Sequence, residues 1–389
     1  MIDPVLPPAC YTEPYWFDWE QKNIFGELWL FAGLTQQLKV DNSFITRDFS
    51  GIPVLIQNLD GELRAFRNAC AHRGMPIQVA DCGTRKMICP YHGWSYDREG
   101  QLSGIPNAAI YGLNECAKTS IGLHSYALHT IGNFIFINLS PRPRRVIDQF
   151  SSDLMQLLQN VSPYFALDVS YTTFSGDYNW KLNFENVLDW NHAQFVHRHT
   201  LAPLLNIESD GVFSAAPSGQ SLLFTAGAPL SDIRFSGDTS LDAPIDLKDI
   251  SRIGRSHMPY SPRWFSDFLA APCDRGAFFA CNIFPNVNFG SIHGEHFYLQ
   301  QYVPVAPNRI EFHSWVFTTQ LKADIPPQPH LLWGIHHAEK RVIDEDMVLL
   351  SALQKALSSA SAVGMMGNHE ASLAAMGHWY LQQVKDSAA

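Results

Sequence analysis

At 389 residues the chain is long enough for two domains, and its 46% apolar and 12% aromatic content is that of an ordinary globular protein. A net charge of −10 excludes nucleic acid and anionic membrane as general partners, and no apolar run approaches the ~18 residues of a spanning helix. An odd count of seven cysteines and a start, Met1-Ile2-Asp3-Pro4, with no basic or apolar leader point to a reducing cytoplasm.

Residues 1–37 carry Phe17, Ile24, Phe25 and Trp29 at mixed spacing and predict one or two short helices. From about 40 to 140, short β runs split by turn residues predict a small all-β domain. Its candidate strands are Phe44–Phe49, Val54–Asn58, Leu63–Asn68, Met87–Cys89, Trp94–Tyr96 and Phe134–Asn138, with Asp60-Gly61 as a hairpin turn. Pro141-Arg142-Pro143-Arg144-Arg145 reads as a linker. Beyond it the pattern predicts a helix over 146–160, a strand over 170–177, a helical stretch over 180–199 and an irregular segment to about 262. Four antiparallel runs follow, at Phe278–Phe284, Phe289–Ile292, Glu295–Val303 and Ile310–Gln320, then a helix over about 330–357 and a shorter one at the end. The second half is therefore α+β, a sheet packed against helices.

Two short loops, Cys70-Ala71-His72-Arg73-Gly74 and Cys89-Pro90-Tyr91-His92-Gly93-Trp94, each supply one cysteine and one histidine, with 16 residues between His72 and Cys89. Zinc sites usually take both cysteines from one turn. One ligand of each type per loop suits a [2Fe–2S] cluster in which two cysteines bind one iron and two histidines the other. Neutral imidazoles reduce the cluster's negative charge and raise its potential, to roughly −150 to +300 mV. Gly74, Pro90 and Gly93 permit tight turns around it.

In the helical stretch Glu185, Asp189 and His192 share a helix face, with His197 and His199 following. Two histidines and a carboxylate with open positions would hold non-haem Fe(II). Ideal helix geometry favours His199, seven residues on, over His197, so the second histidine stays open on spacing alone. The carboxylate comes from Asp344, Glu345 or Asp346. Asp346 has Val342, Ile343, Leu349, Leu350 and Leu353 at its helical neighbours, which favours it as the one turned inward.

Together the motifs resemble the catalytic α subunit of the Rieske non-haem iron aromatic-ring-hydroxylating oxygenases. The resemblance rests on C-x-H-x16-C-x2-H at Cys70, His72, Cys89 and His92 and on E-x3-D-x2-H-x4-H at Glu185, Asp189, His192 and His197. Asn68-Ala69-Cys70, Gly93-Trp94-Ser95-Tyr96-Asp97, Asn179-Trp180-Lys181 and Glu345-Asp346 support it, so it spans about 65 to 355. It implies an N-terminal helical segment at 1–40 packing on the catalytic domain, a Rieske domain at 41–140, and a catalytic domain of helix-grip (START/Bet v 1-like) fold, with a curved antiparallel sheet, at 141–389. It implies His192, His197 and Asp346 as ligands of a mononuclear Fe2+. Asp189 becomes a bridge for electrons between His192 and, by the motif, His92 of the partner subunit in a head-to-tail homotrimer.

The implied activity is that of a cytoplasmic terminal oxygenase. It takes O2 and electrons, ultimately from NAD(P)H through a reductase or ferredoxin that reaches exposed His72 and His92, and monooxygenates or demethylates a small, aromatic substrate. Modest length for the family favours that outcome over a cis-dihydroxylating α subunit with a β partner (α3β3). A Rieske carrier or sensor is the alternative of another class. Leu204, Leu205, Phe224, Phe235, Ile283, Phe284 and Phe297 are candidate pocket walls, and Arg234, Arg252, Arg255 and Arg263 candidates for a substrate carboxylate. Aspartate rather than glutamate at 189 weighs against choline- or carnitine-type substrates.

Overall fold

The structure is a computed structural model that describes residues 6–114, 118–189, 192–201, 245–257, 260, 262–270, 277–359, 364–367 and 370–388. By internal contact it forms two units, residues 21–146 and residues 1–20 with 147–389. No helix among the described residues is long and apolar enough to cross a membrane.

In the first unit, β1 (Trp29–Leu34), β2 (Ser43–Phe49), β3 (Ile52–Leu59), β4 (Glu62–Arg67), β5 (Cys82–Thr84), β8 (Ser125–Ile131) and β9 (Phe134–Asn138) form an antiparallel sheet in the order β1-β9-β8-β4-β3-β2-β5. A separate ribbon pairs β6 (Ser95–Tyr96) with β7 (Leu102–Gly104). Asp60 and Gly61 sit at φ 57° and 87°, the left-handed pair that a two-residue hairpin requires. The short helices expected over residues 1–37 are found at Ala9–Thr12 and Pro14–Glu20 but stop short of Trp29, and one expected strand is absent. Trp29 to Leu34 is a strand, paired to β9 and buried along its whole length, and a continuous apolar run does not distinguish a buried strand from a buried helix. Met87 to Cys89 is a loop with one bridge, Ile88 to Ser95.

In the second unit, α1 (Ala9–Thr12) and α2 (Pro14–Glu20) precede α3 (Ser152–Val161). β10 (Ser170–Gly176), β11 (Arg252–His257), β12 (Ala277–Ile283), β13 (Val287–Ile292), β14 (His296–Ala306) and β15 (Arg309–Thr318) form an antiparallel sheet in the order β10-β15-β14-β13-β12-β11. The period-2 alternation of strands divides its side chains. Phe289, Phe297 and Phe317 stack on one face with Phe165. The other face carries Tyr298 paired across Gly290 from Ala280, and it receives the 29-residue helix α6 (Pro329–Leu357), whose His336 bonds Ser170 at 2.8 Å and Ser314 at 3.0 Å.

The stretch read as a helix over 180–199 is two helices, α4 (Trp180–Leu188) and α5 (Ala193–Val196). Asn179 caps α4 by accepting from Lys181 N, and Asp189 ends it in extended backbone at φ −90°, ψ 102°. The start of α4 is pinned by a buried ion pair between Lys181 and Glu20, both fully buried. Glu20 also accepts from Trp180 Nε1 and from Tyr380 of α7 (Ala371–Ala388), each at 2.7 Å. A buried pair this fully hydrogen-bonded fixes geometry more than it adds stability.

Just beyond it, Tyr11 donates to Glu185 at 2.6 Å, and burial pushes the Glu185 carboxyl up to about 7. The folded chain thus keeps a proton that the unfolded chain loses from about pH 4.5 upward, so stability falls as pH rises to about 7 and stays lowered above it. Glu185→Gln keeps an acceptor for Tyr11 without the charge. It is expected to be more stable than the parent at pH 8, by about 1–3 kcal/mol, and no more stable at pH 5, as read by thermal melts at both.

Candidate metal centres

The two cysteine–histidine loops adopt matching backbone conformations. Gly74 N–H bonds Cys70 O and Cys70 N–H bonds Met75 O; Gly93 N–H bonds Cys89 O and Cys89 N–H bonds Trp94 O, all at 2.8–3.0 Å. Gly74 and Gly93 both turn in the left-handed region, at φ 73° and 71°. The paired loops bring Cys70 and Cys89, both buried, within hydrogen-bonding reach of each other. They set the His72 and His92 rings 4.7 Å apart, with Trp94 stacked on His72 at 4.9 Å and 11°. The histidines are half-buried rather than exposed. His72 Nδ1 is a buried nitrogen with no hydrogen-bond partner. Two thiols on one side and two imidazoles on the other, one with an orphaned ring nitrogen, fit a [2Fe–2S] group.

Tyr96 supplies a second layer to this site. Ala71 N–H donates to its hydroxyl oxygen at 3.0 Å, which leaves the hydroxyl proton to point at Cys70 Sγ, 3.1 Å away. A donor on a ligating sulfur withdraws charge and favours the reduced state. Tyr96→Phe is expected to lower the cluster's potential by roughly 40 mV, which is about 1 kcal/mol of differential hydrogen bonding for one electron. Protein-film voltammetry reads the shift.

In the other unit, one oxygen of the Asp346 carboxylate lies 3.1 Å from His197 Nε2 and 3.5 Å from His192 Nε2. The three donor atoms fall within 4.8 Å of one another. Asp346 Oδ1 is buried and forms no hydrogen bond of good geometry. An orphaned carboxylate oxygen facing two ring nitrogens is a donor set that fits Fe(II), with two nitrogens and one carboxylate on one side.

Each histidine is held from its far side. His192 Nδ1 bonds the Asp189 carbonyl, with the Asp189 carboxylate at 3.7 Å. His197 Nδ1 bonds Glu345 Oε2 at 2.8 Å, and Thr200 donates to the same oxygen at 2.6 Å. Burial acts to lower the His192 pKa, but the Asp189 and Asp346 carboxylates beside the ring outweigh it and push it up to about 9. For Asp346, burial acts upward and is outweighed by the two histidines, which hold the carboxyl below the usual range.

Of the residues left open by spacing, His199 is exposed on the cavity rim and His197 is buried, because α5 ends at Val196, which leaves His197 as its C-cap and His199 in the turn beyond. Asp344 is exposed and pairs with Lys340. Leu349 and Leu353, taken as inward neighbours of Asp346, are 49% and 46% exposed, so Asp346 faces a cavity rather than a closed core. The role of Glu345 was not legible: its only signal is adjacency to Asp346. Glu345→Gln is expected to weaken iron binding at this site by about 10- to 100-fold, read by chelator competition.

The triad lines a cavity of about 230 Å³ with Val187, Phe278, Ile292, Tyr298, Glu339 and Val342. Ile283, Phe284 and Phe297, expected as walls, are core instead; Phe297 precedes Tyr298 and so points through the opposite sheet face. Leu204, Leu205, Phe224, Phe235 and Arg234 lie outside the described residues, as does the Arg255 side chain. Arg252 is buried and does not line the cavity. Arg263 points at His296, not into open space.

The family described as the Rieske [2Fe-2S] domain matches residues 28–119, and that described as the ring-hydroxylating α subunit (catalytic domain) matches residues 164–386. The oxygenase subunit of glycine betaine monooxygenase from Pseudomonas aeruginosa is 32% identical over 204 residues, 51% of this chain and 46% of that protein. The large subunit of anthranilate 1,2-dioxygenase from Acinetobacter baylyi is 32% identical over 196 residues, 48% of this chain and 41% of that protein. The chain thus spans about half the length of the curated relatives it matches. A solved structure of a quaternary ammonium Rieske monooxygenase superposes with a TM-score of 0.75 at 19% identity, covering 99% of this chain and 95% of that one, a likeness of fold.

Proposed function

The chain belongs to the ring-hydroxylating α-subunit family, and from that premise we propose that it is the terminal oxygenase component of a Rieske oxygenase system. In this reading it takes O2 and electrons, ultimately from NAD(P)H through a reductase or ferredoxin, and monooxygenates or oxidatively demethylates a small substrate. The observation that carries the reading is the convergence of His192, His197 and Asp346 at a cavity wall, with a carboxylate oxygen that bonds nothing else.

We assign Cys70, His72, Cys89 and His92 to the [2Fe–2S] cluster and His192, His197 and Asp346 to the iron. When bound, the cluster supplies electrons singly and the ferrous ion supplies open positions for O2. Asp189 and Glu345 each fix one imidazole by its Nδ1, so both Nε2 atoms stay aimed at the same point. Phe278, Ile292 and Val342 exclude water and hold the substrate's carbon skeleton beside the triad. The Asp189 carboxylate is the proposed link to His92 of the partner subunit in a head-to-tail homotrimer, a heterologous interface that closes on itself. A cytoplasmic location is part of the same proposal.

The relative named anthranilate 1,2-dioxygenase supports a second outcome, cis-dihydroxylation with a β partner. One experiment tests both. Purified protein with a surrogate reductase is scored for iron content, substrate-dependent O2 uptake and product mass. The oxygenase reading expects about three irons per chain and a product that gains one oxygen or loses a methyl group. Gain of two oxygens and two hydrogens establishes the dioxygenase. About two irons per chain, with no O2 uptake, leaves only an electron carrier.

A further inference from the structure

A second polar group faces the same cavity, two helical turns along α6 from the triad. Glu339 precedes Asp346 by seven residues, about 10 Å along the axis, and both line the cavity. The Glu339 side chain is 14% exposed, and His296 Nε2, which faces it, is 3.6 Å away, beyond hydrogen-bond range. Arg263 Nη1 lies 3.2 Å from His296 Nδ1. A guanidinium only donates, so Nδ1 accepts and the ring proton sits on Nε2, directed at Glu339. Burial lowers the His296 pKa, which keeps the ring neutral. Behind it, fully buried Glu295 accepts from Tyr260 at 2.9 Å with one carboxylate oxygen and has no partner for the other.

Among the described residues, the Arg263 guanidinium behind this end of the cavity is turned to His296 rather than to Glu339. Arg341 on the cavity wall is exposed, where water and salt screen it. A carboxyl group that faces a cavity without a hydrogen-bond partner calls for a donor, and a cationic one most. The cavity carries an independent sign of what should bring it. Asn288, 7% exposed, donates to Gln300 at 3.1 Å and leaves its own carbonyl oxygen without a partner. Glu339 and Asn288 thus both offer acceptors, between apolar walls made by Phe278, Ile292 and Tyr298.

We infer that this cavity selects an organic ammonium that still carries an N–H, seated with its nitrogen on Glu339 and Asn288 and its oxidisable carbon toward Asp346. Glu339 is then a specificity determinant. A carboxylate and an amide oxygen reward hydrogen-bond donors; a quaternary nitrogen has none to give. A substrate carboxylate would be repelled from this end, which reverses the expectation that Arg263 receives one. The carbon's fate rests on the oxygenase reading, whereas the binding preference does not.

The test measures dissociation constants by equilibrium dialysis on the full, metal-loaded chain. The ligands are N-methylbenzylammonium, benzyltrimethylammonium, benzyl alcohol and benzoate. Iron content, melting temperature and O2 uptake are recorded separately, so that failure of the oxygenase reading shows in those readouts and not in the selectivity. The parent is expected to hold N-methylbenzylammonium about 10- to 100-fold more tightly than benzyl alcohol, with the quaternary ion weaker than the N–H ammonium and benzoate weakest. Glu339→Gln is expected to erase the ammonium preference while leaving benzyl alcohol unchanged. A purely structural role would lower the melting temperature of Glu339→Gln and leave the selectivity intact, which overturns the inference. So does a parent that holds the alcohol or benzoate as tightly as the ammonium, that holds none of the four, or that prefers the quaternary ion.

Discussion

Asp346→Ala is expected to lose the mononuclear iron and all turnover while keeping the cluster. The argument is one of ligand count. His192 and His197 present their Nε2 atoms to one Asp346 oxygen, and among the described residues no other carboxylate is in position to replace it. Glu345 is occupied on the far side of His197, and Asp344 points to Lys340 in solvent. Two neutral imidazoles without an anion hold a hard ferrous ion poorly. The cluster's residues belong to the other unit and are untouched. Iron should fall from about three to about two per chain, with the spectrum of the [2Fe–2S] group unchanged. Retention of the third iron and of turnover would move the anionic ligand to Asp344 or Glu345.

Asp189→Ala is expected to keep both metals and to lower turnover by at least about a hundredfold. Asp189 ends α4 and holds His192 through its backbone carbonyl, a contact that truncation of the side chain leaves in place. What disappears is the carboxylate, the proposed path between a cluster and the neighbouring iron. Iron analysis together with the rate at which a pre-reduced cluster reoxidises under O2 and substrate separates the two roles. Slow reoxidation at full iron content is the expected result. Loss of iron would make Asp189 a support for His192 only, and normal turnover would remove it from the path altogether.

The cluster loops and the His192–His197 stretch were legible in the chain because those candidate ligands come in short local groups, whereas Asp346 is brought to the histidines only by packing. Cys70 to Gly74 and Cys89 to Gly93 specify their own turns through the glycines, so spacing, conformation and ligand type agree within five residues. Asp60-Gly61 was readable for the same reason. Trp29 to Leu34 was not, because an unbroken apolar run carries no period, and its identity as a strand depends on β9, a hundred residues away. The helix over 180–199 was continued through Asp189 because nothing in Asp189-Trp190-Asn191 is a strong breaker. The exchange of His199 for His197 at the metal site has a separate cause: α5 stops at Val196, so His197 caps it and the helical i+7 relation from His192 to His199 never forms.

What the amino-acid order determined alone was the kind of chemistry: two groups of candidate metal ligands of different type, with the second histidine and the carboxylate of one of them left open. Those facts reside in residue type and close spacing, which survive any arrangement of the rest. Tertiary structure decided the partners of those atoms. Only the packing of α6 across the sheet set Asp346 against two histidines, placed Glu345 behind one of them, and turned Glu339 and Asn288 into the same cavity. Contacts between residues 150 positions apart depend on helix phase and strand register, and a one-residue slip in either would have presented different side chains to the iron.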